Sequence, residues 1–229
     1  FLKAFDLSGF NAISQPISRP MGLLWLIAFV LFVVTAFFLA IKLHYWQFTG
    51  LAGIVLSQFL IINYWTDAKF GTIVNFIILA SILLAYSNFS FKNMVKGEVE
   101  KIFADSKINS QVILTNGMLK RLPEIVQNWL RNTGSIGKPM VNHVYLEQDL
   151  QMRLKPEQEK WNSAQANQYF SIDPPAFNWS VDLEMNPLLP VVGRDKFEKG
   201  EGEMTIKLWS LFPIVNTKKE DKINQASLQ

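Results

Sequence analysis

MGLLWLIAFVLFVVTAFFLAIKL, residues 21–43, decides the class of this chain. It carries no charge before Lys42, and as a helix it runs roughly 34 Å, enough to cross a hydrocarbon core of about 30 Å. It reads as a transmembrane helix. Pro16 and Pro20 precede it, where a fixed φ and missing N–H groups suit the entry to a helix. Trp25 lies one turn inside its start, and Tyr45 and Trp46 follow its end, as aromatic residues do at both interfaces of a bilayer. His44 falls at the same boundary.

Working outward, two further apolar runs, about 48–65 and 70–86, are separated only by Thr66, Asp67, Ala68 and Lys69, so they form an antiparallel hairpin. Buried core helices of a large soluble protein are the alternative, and three such runs within the first ninety residues argue against it. Only four of the 22 Lys and Arg, and two of the 19 Asp and Glu, precede residue 91. The remaining 18 basic and 17 acidic residues give the rest of the chain the balance of an ordinary soluble domain. That balance excludes the basic excess expected of a nucleic-acid partner. Residues 1–88 are therefore expected to be a helical anchor, 89–107 an amphipathic connector and 108–229 a β-rich soluble domain. Segment 1–12 is apolar on one side. The start at Phe1 and the stop at Gln229 suggest a fragment of a longer protein.

Polar side chains inside the spans are costly in lipid unless paired. Gln58, Asn63, Asp67 and Asn75 stand out, with Ser57 and Thr72 nearby. Asp67, Gly71 and Asn75 recur every four residues, which places them on one helix face if the third span starts early. They build either a polar pocket or, as such groups commonly do, interhelical hydrogen bonds, with an Asp67–Lys69 pair at the interface. For orientation, Lys3, Arg19 and Lys69 oppose Lys42, Lys92, Lys96, Lys101 and Lys107. Positive-inside reasoning favours a cytoplasmic soluble domain.

In FSFKNMVKGEVEKIFA, residues 89–104, Phe91, Met94, Val95, Val99, Ile102 and Phe103 alternate with Lys and Glu at helical spacing, with Gly97 a weak point in the middle. This segment either lies on lipid headgroups or docks on the domain. A short helix follows over 122–132, with Pro123 in its first turn, an apolar face of Ile125, Val126, Trp129 and Leu130, and Gly134 as its stop; it has the look of a plug or lid. Beyond residue 138 the period changes to two, and strands are expected over 141–154, 163–172, 177–185, 190–198 and 202–210. The predicted class is an α+β membrane protein: transmembrane helices, then a mostly antiparallel, curved, half-barrel-like sheet with one or two short helices.

The strings LPEIVQNWLRNTGSIGKP (122–139), QYFSIDPPAFNW (168–179) and NPLLPVVGRDKFEKGEGEMTIKLWSLFPIVN (186–216) resemble an uncharacterised bacterial family of membrane-anchored proteins, a family of domains of unknown function. SQPISRPMGLLWL (14–26) and WTDAKFGTIVN (65–75) are similar to the anchor of some members. The resemblance implies a further transmembrane helix upstream, further strands downstream and residence in the bacterial inner membrane. It implies no established activity. By looser analogy of fold, the domain is similar to the half-barrels that carry lipids or lipoproteins across bacterial envelopes.

Motifs for chemistry are scarce. There is no cysteine, which removes disulfides, thiolate metal sites and cysteine nucleophiles together. His44 and His143 are the only histidines, and without HExxH spacing they offer no zinc site; no GxSxG elbow or P-loop occurs. No metal and no cofactor are expected. In GRDKFEKGEGE, an Arg194–Asp195 pair with Glu203 and Lys207 on the next strand is the one polar candidate: Asp195 or Glu203 as general base, Arg194 as anion clamp. Solvated cross-strand pairs are the commoner meaning of such residues.

The large side chains Trp161, Tyr169, Phe170, Phe177, Trp179 and Trp209 are the candidate ligand-binding residues, on an apolar sheet face. A domain core is the competing reading of the same residues. The function expected is non-enzymatic: a membrane-anchored protein binding a lipid or other hydrophobic ligand. An accessory subunit packed against other membrane subunits is the alternative, and an envelope hydrolase the least favoured.

Overall fold

The computed structural model describes residues 1–7, 14–43, 45–106, 112–153, 155–185 and 188–227. His44, Lys107, Leu154 and the second half of segment 1–12, all invoked above, lie outside the described residues. The chain divides into two units, Phe1–Tyr86 and Ser87–Gln229.

In the first unit the uniformly apolar runs become helices α1 (Arg19–Ala40) and α2 (Trp46–Asn63), then a single turn, α3 (Trp65–Ala68), and the start of α4 (Gly71–Asp105). Among the described helices α1, α2 and α4 are long and apolar enough to span a membrane. Pro20 lies in the first turn of α1, where its missing N–H costs nothing. Thr35 on α1 bonds Thr49 on α2 at 2.9 Å, and its hydroxyl also donates to the carbonyl of Leu31 at 2.7 Å.

The third apolar run and the connector are one 35-residue helix. Nothing at the junction, Ser87, Asn88, Phe89 and Ser90, removes a backbone donor or forces a non-helical φ. Only the pattern changes, from apolar all round to apolar on one stripe. In the second unit α4 leads to α5 (Asn116–Leu119) and α6 (Glu124–Asn132).

Six strands follow: β1 (His143–Met152), β2 (Asn162–Ser171), β3 (Ala176–Glu184), β4 (Pro190–Glu198), β5 (Glu201–Leu208) and β6 (Phe212–Lys218). They form one open antiparallel sheet in sequence order, and α7 (Asp221–Ser227) closes the described chain. The five expected strands lie within two residues of β1 to β5. The sixth was not anticipated. Where 202–210 was expected to be one strand, Trp209 and Ser210 take φ of 54° and 57°, the paired positive values of a type I′ hairpin turn. The chain therefore reverses at a Trp-Ser pair rather than at the Asn-Gly or Asp-Gly that marks such turns in a sequence.

Candidate functional site

Residues directly opposite in an antiparallel ladder share a face, so the register sorts the sheet into two surfaces. On one, Gln165 faces Asp182, Asn167 faces Ser180 and Tyr169 faces Asn178; Arg194 then stands between Ser180 and Thr205, and Lys196 between Asn178 and Glu203. This surface is polar. The other carries Ala164, Ala166, Val181, Leu183 and Val191 as a buried cluster, with Leu150, Met152, Trp179, Ile206 and Leu208 half-buried around it.

The C-terminal half of α4 packs on the polar surface. Phe91, Val95 and Val99, spaced by four, bury against Val192, with Phe103 and Tyr169 alongside. The apolar stripe thus answers the connector's open question for this domain: it docks on the sheet. Glu98 from the same stripe enters a charged network. Its carboxylate lies 3.1 Å from the Arg194 guanidinium, which also reaches Glu203 at 3.1 Å, and it accepts a 2.8 Å bond from Asn178. Lys196 stands 3.8 Å from Glu98 and 3.4 Å from Glu198. Arg194 is 2 % exposed and Asn178 fully buried. A buried guanidinium needs such carboxylates, because isolated it would lose most of its hydration energy without return. Toward the end of α4, Lys101 bonds Glu198 at 2.9 Å and Asp105 bonds Lys199 at 3.0 Å. The Lys101 bond is the largest influence holding the Glu198 carboxyl below the usual carboxylate range.

Beside the docked helix runs a groove of about 440 Å³. Phe91, Val95, Val99 and Phe103 form its apolar wall; Gln165, Asn167, Tyr169 and Ser180 belong to its polar lining. Lys92 closes one rim through a 3.3 Å pair with Asp182. At the other end of the helix, Ser106 meets the His143 imidazole, whose ring packs 4.5 Å from Phe103.

The six aromatic candidates do not converge on one site. Phe170, Phe177 and Trp179 share the apolar face, and Phe197 extends their row: ring centroids are 6.1 Å apart for Phe170–Phe177 and 6.3 Å for Phe177–Phe197. Trp179 donates its indole N–H to Gln148 at 3.0 Å. Tyr169, one residue from Phe170, necessarily points to the other face and lines the groove. Trp161 precedes β2, half exposed, with the Arg153 guanidinium 4.6 Å over its ring. Trp209 sits in the β5–β6 turn and donates to the carbonyl of Leu188 at 2.7 Å.

The same alternation separates Arg194 from Asp195, so the rim pair with an anion clamp does not form. Asp195 lies on the apolar face opposite Trp179 and Met204. Burial there raises its pKa, only partly opposed by the charge of Arg194. Glu203 is committed to Arg194, and Lys207 stands 5.8 Å over the Phe91 ring.

In the helical unit, Asn75 donates to Ser57 at 3.2 Å and to Gln58 at 3.1 Å, and Gln58 donates to Thr72 at 3.2 Å. Gln58 and Asn75 therefore satisfy each other between α2 and α4. Asn63 donates to the carbonyl of Phe59 on its own helix at 2.8 Å. Asp67 does not share their face: it lies on α3, one turn before α4 begins, and accepts bonds from Ser14 (2.6 Å) and the Gln15 amide (3.0 Å). The Ser14 hydroxyl is the main cause that lowers its pKa. The anticipated Asp67–Lys69 pair is replaced by these bonds, and Lys69 stands 5.4 Å over Phe70.

These features define the class: apolar helices of membrane-spanning length joined to an α+β domain whose open antiparallel sheet has one polar, helix-covered face and one apolar face. Residues 120–229 match the model of a family of unknown function, DUF6920. The resemblance read from 122–139, 168–179 and 186–216 falls within that segment. Comparison with curated proteins and with solved structures gave no match.

Proposed function

We propose that this is a multi-pass protein of the bacterial inner membrane whose second unit binds a lipid acyl chain, or another hydrophobic ligand, on the apolar face of its sheet. The observation that carries the reading is the state of that face. Trp179, Leu150, Met152, Ile206 and Leu208 surround a buried floor yet stay half-buried, and Leu146 on the same face is 40 % exposed. Covering such surface gains about 25 cal/mol per Å². α4 docks on the opposite, polar face, and α7 meets the apolar side at Gly202, so the stretch around Trp179 keeps its capacity for a ligand. Hydrophobic capture needs no acid, base or metal.

Native mass spectrometry of gently extracted full chain tests this. Retained lipid that is lost on Ala166→Trp, which fills the floor, is the expected result. A chain that is always empty, with a filled-in face, overturns it. The accessory-subunit reading would have Gln58, Asn63 and Asn75 face another protein; Gln58 and Asn75 bond each other, and Asn63 is exposed on α2.

A further inference from the structure

Residues 112–140 form a lobe closed at its base. The amides of Leu114 and Gly137 bond the carbonyls of Lys138 and Leu114, and that of Met140 bonds Val112, each at 2.9 Å, beside a bridge between Ile113 and Pro139. Inside the lobe α6 is amphipathic. Ile125 and Trp129, four residues apart, are 79 % and 62 % exposed, far from the burial expected of such side chains. Met118 and Leu122, in the same lobe, are exposed as well. The opposite side of α6 is polar and internally ordered: Arg131 bonds Gln127 at 3.0 Å, Asn128 at 3.1 Å and Asn116 at 3.4 Å.

The charge of the lobe has one sign. Lys120, Arg121, Arg131 and Lys138 face a single acid, Glu124, for a net charge of +3. Among the described residues none of these four cations forms an ion pair. An exposed Ile–Trp ridge on a lobe of net positive charge is complementary to a surface that is apolar within and anionic at its boundary. Those are the properties of a bilayer containing acidic phospholipid. A soluble partner would have to supply both an apolar cleft and an acidic rim, whereas the same chain carries helices long and apolar enough to span a bilayer.

We propose that the 112–140 lobe is a peripheral membrane contact: Ile125 and Trp129 insert at the headgroup boundary of an anionic bilayer, and Lys120, Arg121 and Lys138 hold the phosphate layer. This contact is separate from any ligand on the sheet.

The absence of cysteine allows a clean test by site-directed spin labelling of full-length protein. Ile125→Cys, Trp129→Cys and, on the polar side, Asn128→Cys would be labelled in proteoliposomes of phosphatidylcholine alone or with phosphatidylglycerol. With phosphatidylglycerol, labels at 125 and 129 are expected to become accessible to oxygen and protected from a water-soluble nickel complex. The label at 128 stays in water. Lys120→Gln, Arg121→Gln and Lys138→Gln should each weaken the protection, roughly fivefold in lipid association per charge. Water exposure of 125 and 129 in both lipids overturns the proposal. So does protection from both reagents, which means that protein covers the ridge. The unchanged label at 128 reports that α6 remains folded.

Discussion

The guanidinium of Arg194 lies 3.1 Å from the carboxylate of Glu98, one at the centre of the sheet and the other on α4, with the arginine side chain 2 % exposed. Removing one partner strands a buried charge, which typically costs about 3–5 kcal/mol. Glu98→Ala should therefore destabilise the second unit by about that amount in denaturant titrations, whereas Glu100→Ala, on the exposed side of α4, should change little. Because Glu203 also holds Arg194, Arg194→Met combined with Glu98→Leu should recover only part of the loss, since Glu203 is then left without its guanidinium. A double-mutant cycle measures the recovery.

Gly97 lies midway along the docked part of α4, and a Cβ there would meet nothing within 4 Å. Gly97→Ala should then stabilise the unit by about 0.5–1 kcal/mol through helix propensity alone. A rise in the thermal midpoint would show it.

Two carboxyls give pH dependence of opposite sign. Glu198, held low chiefly by Lys101, contributes stability above the ordinary carboxylate pKa of about 4.3 and loses it as pH falls through its lowered folded value. Glu198→Gln should flatten the acid limb of a stability–pH curve. Asp195 is raised by burial. Its favourable contribution is complete below the ordinary value of about 3.9 and is lost as pH rises through the raised one. Asp195→Asn should thus stabilise the protein at neutral pH.

Gly202 is a close approach. A Cβ there would stand 2.7 Å from the carbonyl oxygen of Ile223, a backbone atom in α7 that cannot rotate away. The Gly202 amide also donates to Asn224 at 2.7 Å. Gly202→Ala should release α7, seen as faster hydrogen exchange over 221–227 with the rest of the sheet unchanged.

Strand period and helical apolarity made most elements legible from sequence: FNWSVDLEM fixes β3 and its faces by alternation alone. Side-chain destinations that depend on register were not legible. Adjacent Tyr169 and Phe170, or Arg194 and Asp195, read as clusters in one dimension, but the pleat sends them to opposite faces. The role of Glu98 was hidden for a different reason: only the folded sheet brings Arg194 and Asn178 to an acid about 80 to 100 positions earlier. β6 escaped notice because Trp209 and Ser210 make a tight turn without the Asn-Gly or Asp-Gly pair that marks one. The 0 % exposure of Asn178 had no local signal at all.

The central claim is that the apolar face of the sheet holds a lipid chain. Photo-crosslinking of full-length protein with a diazirine-bearing phospholipid, followed by peptide mapping, tests it most directly. The account predicts labelled residues on β3 and β4 around Phe177, Trp179 and Phe197, lost on Ala166→Trp. Labelling confined to α1, α2 and the first half of α4 would contradict it.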